Sequence, residues 1–238
     1  MKKTLLLAAA ALFTLGASAQ TYLLSNPDNH SYFGVRASYN LSIPGKVKAD
    51  IGNGAETYKA RVLGKGSGFS IGAIYNQPLV ANLYIEPGVT LAYTTESFHQ
   101  GHGDFPEFHD KLMKHSSQRK FSVEVPVQFG YHFDFTPDIS LSVSTGPVLK
   151  LGLVNDYYFT TEEIAGQKIH KSGSVYGENG YMRRVDCAWR FGVGFNIAQH
   201  YYVGINGDLG LANMLKDTND GSVTLHENAF NVTLGYNF

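Results

Sequence analysis

The chain has 238 residues and a formal charge of −1, with 16% charged and 13% aromatic residues. So little charge beside 15 Tyr and 15 Phe is unlike a water-exposed surface, and the balance excludes a basic nucleic-acid binder. The single cysteine, Cys187, excludes an internal disulfide.

At the N-terminus, Lys2 and Lys3 precede an apolar run from Thr4 to Gly16, followed by the small-x-small triplet Ala17-Ser18-Ala19. This is the pattern of a signal peptide, residues 1–19, cleaved between Ala19 and Gln20. The run is shorter than the ~20 residues that a spanning helix needs. Losing Lys2 and Lys3 moves the formal charge from −1 to −3.

From residue 32 onward the chain alternates with a period of two, which puts successive side chains on opposite faces of a strand. Phe33, Val35, Ala37, Tyr39 and Leu41 oppose Gly34, Arg36, Ser38, Asn40 and Ser42. Phe69, Ile71, Ala73 and Tyr75 oppose Ser70, Gly72 and Asn76; Leu83, Ile85, Val89, Leu91 and Tyr93 oppose Glu86, Gly88, Thr90 and Thr94. The clearest stretch sets Phe121, Val123, Val125, Val127, Phe129, Tyr131 and Phe133 against Ser122, Glu124, Gln128, Gly130 and His132. The fifth strand sets Ile139, Leu141, Val143, Leu149 and Leu151 against Ser140, Ser142, Ser144, Gly146 and Lys150. The sixth sets Val185, Trp189, Phe191, Val193, Phe195 and Ile197 against Asp186, Arg190, Gly192, Gly194 and Asn196. The seventh sets Tyr201, Val203, Ile205, Leu209 and Leu211 against Gly204, Asn206, Asp208 and Gly210. The last sets Phe230, Val232, Leu234, Tyr236 and Phe238 against Asn231, Thr233, Gly235 and Asn237.

Eight strands of about ten residues have the length that crosses a bilayer when tilted. Residues 78–82, 134–138 and 198–200 read as tight turns, and 43–67, 95–119, 153–183 and 213–227 as long loops. Short turns at one end and long loops at the other fit an all-β, eight-stranded antiparallel up-and-down transmembrane barrel over residues 32–238. Its termini are expected at the short-turn, periplasmic end, with 20–31 as a short periplasmic segment. Pro87, Pro126 and Pro147 fall inside strands of a barrel that has no free edge, so bulges or strand ends are expected there.

A soluble barrel of the lipocalin kind would also alternate, with its large apolar residues inward. Here the polar faces are mostly Gly, Ser, Asn and Thr. A crowded eight-stranded lumen favours such small residues, while the aromatic faces are too bulky to fit inside. The aromatics also fall into two girdles. Phe33, Tyr75, Phe129, Tyr131, Phe195, Tyr201, Tyr236 and Phe238 lie toward the turns, and Tyr39, Phe69, Tyr93, Phe121 and Phe230 toward the loops. The expected location is therefore the outer membrane of a Gram-negative bacterium, with outer-membrane lipid as a partner.

The C-terminal segment, with Phe230, Val232, Leu234, Tyr236 and Phe238 on alternate positions, resembles the terminal assembly signal of outer-membrane proteins. That resemblance implies the barrel-assembly machinery as a partner during insertion. Leu83-Tyr84-Ile85-Glu86-Pro87-Gly88-Val89 and the stretch from Val123 to Tyr131 resemble the porin-family, PorT-like outer-membrane barrel domain. The family includes secretion-associated barrels and many members without a known role, so the resemblance specifies fold far better than activity.

Three constellations carry candidate chemistry. Arg36, Glu86, Glu124, Lys150, Asp186, Arg190 and Asp208 point inward. They read either as a gated ion path or as a salt-bridge plug, and the narrow lumen favours the plug. His99, His102, His109 and His115 share one loop, where a metal or haem could bind. Their spacing matches no structural zinc motif, so a polar extracellular loop without metal or cofactor is expected. Tyr157, Tyr158, Tyr176 and Tyr181 offer a surface for an envelope or extracellular protein partner, or an extension of the aromatic girdle. A lipid-modifying enzyme would need a lipid-facing His near a Ser and an acidic partner. No strand presents such a His, so no catalysis is expected. The reading is a structural or recognition barrel. A narrow channel or secretion-associated accessory is the alternative, and a lipid-modifying enzyme comes third.

Overall fold

The computed structural model describes residues 31–44, 48–51, 62–80, 82–100, 116–136, 138–160, 170–177, 180–216 and 221–238. Residues 1–19, expected to be a signal peptide, and nearly all of the expected periplasmic segment 20–31 lie outside these residues, as do His102, His109 and His115. Eleven strands occur among the described residues: β1 (Tyr32–Pro44), β2 (Lys48–Ile51), β3 (Val62–Pro78), β4 (Leu83–Gln100), β5 (Ser116–Thr136), β6 (Ile139–Thr160), β7 (His170–Ser174), β8 (Val185–Ile197), β9 (Tyr201–Gly210), β10 (Gly221–Thr224) and β11 (Glu227–Asn237).

Eight of them, β1, β3, β4, β5, β6, β8, β9 and β11, pair in that order with antiparallel neighbours. The β1–β11 ladder joins the first strand to the last, and the β5–β6 pairing completes a closed barrel. Closure leaves no free edge among these strands, which is what a bilayer without hydrogen-bonding solvent demands. Both barrel ends meet at the short-turn rim, where the Phe238 amide donates to the Phe33 carbonyl at 2.8 Å.

The strands run further than their apolar alternation. β5 and β6 reach 21 and 22 residues, and their upper ladder continues through Arg119↔Asp156 to Ser116↔Phe159. An outward face needs apolar residues only where it meets lipid. Above the membrane the ladder persists while the pattern fades, so residues assigned to long loops from sequence are in fact strand. His99 is one of them, on β4 opposite Leu63. β7 adds to the top of β6, and β2 pairs with β10, both within stretches also expected to be loop.

The prolines correct another expectation. Pro87 pairs with Val127, Pro126 with Val148 and Pro147 with Trp189, and each ladder keeps its register past them. The register shifts instead at Phe121/Ser122 and at Asp134/Thr136. The first turns β6 over: Gly152 faces in, Leu153 and Val154 both face out, and Asn155 is buried. A β-bulge does this by opposing two residues to one. The turns use left-handed backbone at Asn82 (φ 64°), Ala198 (φ 49°) and Gln199 (φ 61°), of which only Asn tolerates it readily.

The large apolar side chains face outward, as the alternation predicts; Phe69 and Ile71 are 68% and 59% exposed. Around the loop-side girdle Tyr39, Phe69, Tyr93 and Phe121 sit directly opposite one another across β1, β3, β4 and β5. At the turn side Phe33 and Tyr75 approach to 4.8 Å, and Tyr201 and Tyr236 to 5.6 Å. The buried set is instead mostly polar, including Arg36, Asn40, Lys120, Gln128, Lys150, Asp186 and Asp208. An apolar wall around a polar interior is the surface of a barrel that crosses a bilayer.

Candidate functional site in the barrel lumen

At the turn end, polar side chains from successive strands join into a belt. His132 Nδ1 on β5 lies 2.9 Å from Ser142 Oγ on β6. Asn196 Nδ2 on β8 donates to Ser142 Oγ at 2.8 Å, and Asn237 Nδ2 on β11 donates to Asn196 Oδ1 at 3.3 Å. Arg36 Nη1 on β1 donates to Asn237 Oδ1 at 2.8 Å. The Arg36 guanidinium also lies 3.9 Å from Glu86 on β4, which accepts from Asn76 Nδ2 on β3. β9 contributes Tyr202, whose ring lies beneath Arg36 at 4.4 Å. Every barrel strand therefore supplies a side chain to this floor.

The same layer holds tyrosines inside the lumen, where the alternation predicts small and polar residues with a few charges. Tyr84 is buried and stacks on His132 at 4.2 Å. A methyl group at Gly130 would collide with the Tyr84 ring, and one at Gly194 or Gly204 with Tyr202. The glycines are small because the rings use their space. An inward Tyr opposite glycines on neighbouring strands is the signal that would have found these residues.

Midway up, four of the seven predicted charges converge. Arg190 Nε donates to Asp208 Oδ1 at 2.6 Å and its Nη2 to Asp208 Oδ2 at 2.8 Å, a two-pronged contact that suits a planar guanidinium. Arg190 Nη2 also reaches Glu124 at 3.1 Å. Lys150 lies 3.2 Å from Asp208 and 4.0 Å from Glu124. The predicted residues thus separate: Arg36 and Glu86 belong to the floor, while Asp186 faces Lys150 across the β6–β8 ladder. Asp186 Oδ1 accepts from the Cys187 amide at 2.8 Å, and Oδ2 has no hydrogen-bond partner among the described residues.

Above this cluster lie charges absent from the predicted set. Lys120 Nζ contacts Glu227 Oε2 at 2.5 Å, and Ser42 donates to Glu96 at 2.6 Å. Glu96 and Glu227 fell within expected loops, so their inward parity went unread. Among the described residues, the lumen brings four cations (Arg36, Lys120, Lys150, Arg190) against six carboxylates (Glu86, Glu96, Glu124, Asp186, Asp208, Glu227).

An apolar cap sits at the loop end. Val175, Tyr176, Met182 and Met214 form a buried cluster, with Tyr157, Leu215 and Leu225 packed against it. The Arg183 amide donates to the Met214 carbonyl at 2.7 Å, and Met182 bridges Leu215. Tyr176 occupies the space left by Gly152, beneath the Arg184 guanidinium at 5.0 Å, and burial pushes its hydroxyl pKa up. Of the four candidate surface tyrosines, Tyr176 is buried and Tyr157 half-buried against the cap. Tyr158 and Tyr181 are exposed, at 39% and 48%. Arg119 stacks over Tyr158 at 4.8 Å, and Gln118 donates to the Tyr181 hydroxyl at 3.0 Å.

Among the described residues, two hollows lie below the cluster. A vestibule of about 200 Å³ opens at the turn end, lined by Tyr32, His132, Asp134, Asn196, His200 and Asn237 among others. A cavity of about 60 Å³ lies inside, between Tyr32, Arg36, Tyr84, Gln128, Arg190 and Tyr202. Among the described residues no group of His, Cys, Asp and Glu is arranged to hold a metal ion.

No family model and no curated protein sequence matches the chain. Among solved structures it is similar to the attachment invasion locus protein Ail of Yersinia pestis, with 13% identity over 88% of this chain and 99% of that one, at a TM-score of 0.38. It is also similar to the outer membrane protein OprG of Pseudomonas aeruginosa (10% identity, 88% and 97% covered, TM-score 0.45). Neisserial surface protein A is a third (10%, 87% and 97%, 0.41). At these identities and scores the resemblance carries no argument about function.

Proposed function

We propose that this chain is a small, plugged outer-membrane barrel of a Gram-negative envelope, acting structurally or through recognition at its extracellular end. The observation that supports the plug is the Arg190–Glu124–Lys150–Asp208 cluster beneath the Tyr176 cap. Charges paired at these distances, in a lumen only wide enough for side chains, favour a plug over a hydrated ion path. Purified protein in planar bilayers should show little conductance; a large, reproducible open state would overturn the plug.

The exposed Tyr158, with Arg119 over its ring, and Tyr181, held by Gln118, are the proposed contact surface for an envelope or extracellular protein partner. Outer-membrane lipid and the barrel-assembly machinery are the other proposed partners, the latter through the alternating residues from Phe230 to Phe238. Membership of the PorT-like porin family is proposed on the segments Leu83–Val89 and Val123–Tyr131. The two hollows below the cluster favour narrow transport as the second reading, while a secretion-associated accessory role rests on the PorT-like resemblance alone. No catalytic role is proposed, and lipid A should be unaltered in a strain that expresses the protein.

A further inference from the structure

The inner cavity contains a side chain that the protein itself does not satisfy. Gln128 is only 6% exposed, and neither its Nε2 nor its Oε1 has a hydrogen-bond partner among the described residues. Arg36 Nη2, which lines the same cavity, likewise lacks one. A buried amide is retained against its desolvation cost only when something completes its bonds. The cavity of about 60 Å³ is lined mostly by polar residues and has room for about four water molecules at ~15 Å³ each. Tyr32 lines both this cavity and the vestibule below it, at a gap in the floor that His132, Ser142, Asn196, Asn237 and Arg36 otherwise bridge with hydrogen bonds. At the other end Glu124 and Arg190 line the cavity and also belong to the ion-pair cluster.

We propose that the turn-side half of the lumen is a dead-end water chamber, entered past Tyr32 and closed above by the Arg190–Glu124–Lys150–Asp208 cluster, with Gln128 holding its water. The chamber hydrates the lower barrel without making a pore. It stands whether or not the extracellular end recognises a partner.

Silver ion, small and thiol-reactive, is the probe. The barrel is refolded in lipid nanodiscs with Cys187→Ala as background, and single cysteines are introduced by Gln128→Cys, Ser38→Cys and Ser122→Cys. Gln128→Cys breaks no side-chain hydrogen bond among the described residues, Ser38 lines the cavity, and Ser122 lies on β5 just above Glu124. After silver exposure the protein is denatured, and the remaining thiols are counted with a maleimide. Circular dichroism confirms that each variant is folded. The Gln128→Cys and Ser38→Cys sites should react at least about tenfold faster than the Ser122→Cys site, as water-filled space requires. Adding Tyr32→Ala should speed both chamber sites and leave the upper one unchanged. Chamber sites as slow as the upper one would mean a dry cavity. An upper site as fast as the chamber would mean an open path. Rates indifferent to Tyr32→Ala would mean a different entrance. Each of these three results overturns the proposal.

Discussion

Toward the turns, the lumen is filled by Tyr84 and Tyr202 resting on glycines, and a hollow of about 60 Å³ is left over. Toward the loops, it is filled by ion pairs at 2.5–4.0 Å beneath a buried apolar cap. The difference follows from what each kind of group tolerates. A neutral phenol or amide can be completed by water, so imperfect packing around it is acceptable. A buried charge must find its partner within the protein, so the half that holds most of the charges is built tightly, while the one ion pair of the floor, Arg36 and Glu86, stands 3.9 Å apart beside the hollow.

Removing one partner from the charged half should have the largest effect. Asp208→Asn leaves Arg190 and Lys150 to share Glu124 alone, at longer distances, and should cost ~3–5 kcal/mol in urea unfolding from lipid vesicles. A loss below about 1 kcal/mol would mean that the cluster is hydrated rather than dry. The next test is one substitution made in both halves. Gly152→Ala forces Tyr176 out of the cap and should cost ~1–3 kcal/mol, with faster amide exchange at Val175 and Met182. Gly194→Ala pushes on Tyr202, which has the inner cavity to move into, and should cost ~1 kcal/mol or less. Equal costs would erase the contrast between the halves. The smallest effect is expected from Ser38→Ala, which removes one wall hydrogen bond to Thr233 that water can replace, at ~0.5–1 kcal/mol.

The barrel was legible in the sequence because lipid on one side and a narrow lumen on the other impose strict alternation on every crossing strand. Phe121 to Phe133 shows this best. What was illegible lies where one constraint lapses. Above the membrane the outward face need not be apolar, so β4 and β5 appeared to end early, and Glu96 and Glu227 were read as loop. The bulge at Phe121/Ser122 inverted the parity of β6 beyond Gly152 and so hid the inward Asn155. Tyr84 and Tyr202 were missed because residue size was weighed strand by strand. The space for each ring is supplied by glycines on neighbouring strands. The seven predicted lumen charges all lie on membrane-crossing strands, where parity is reliable. Their grouping into a floor and a cluster depends on register, which alternation alone does not supply.

The central claim is that the bulky face meets lipid, and the chain carries a single tryptophan placed to report on it. Trp189 faces outward on β8, 37% exposed in the isolated chain, with its Nε1 donating to Thr145 Oγ1 at 2.7 Å. In vesicles of lipid brominated along the acyl chain its fluorescence should be strongly quenched, while aqueous iodide should leave it nearly unchanged. Quenching by iodide without quenching by brominated lipid would contradict the assignment of inside and outside.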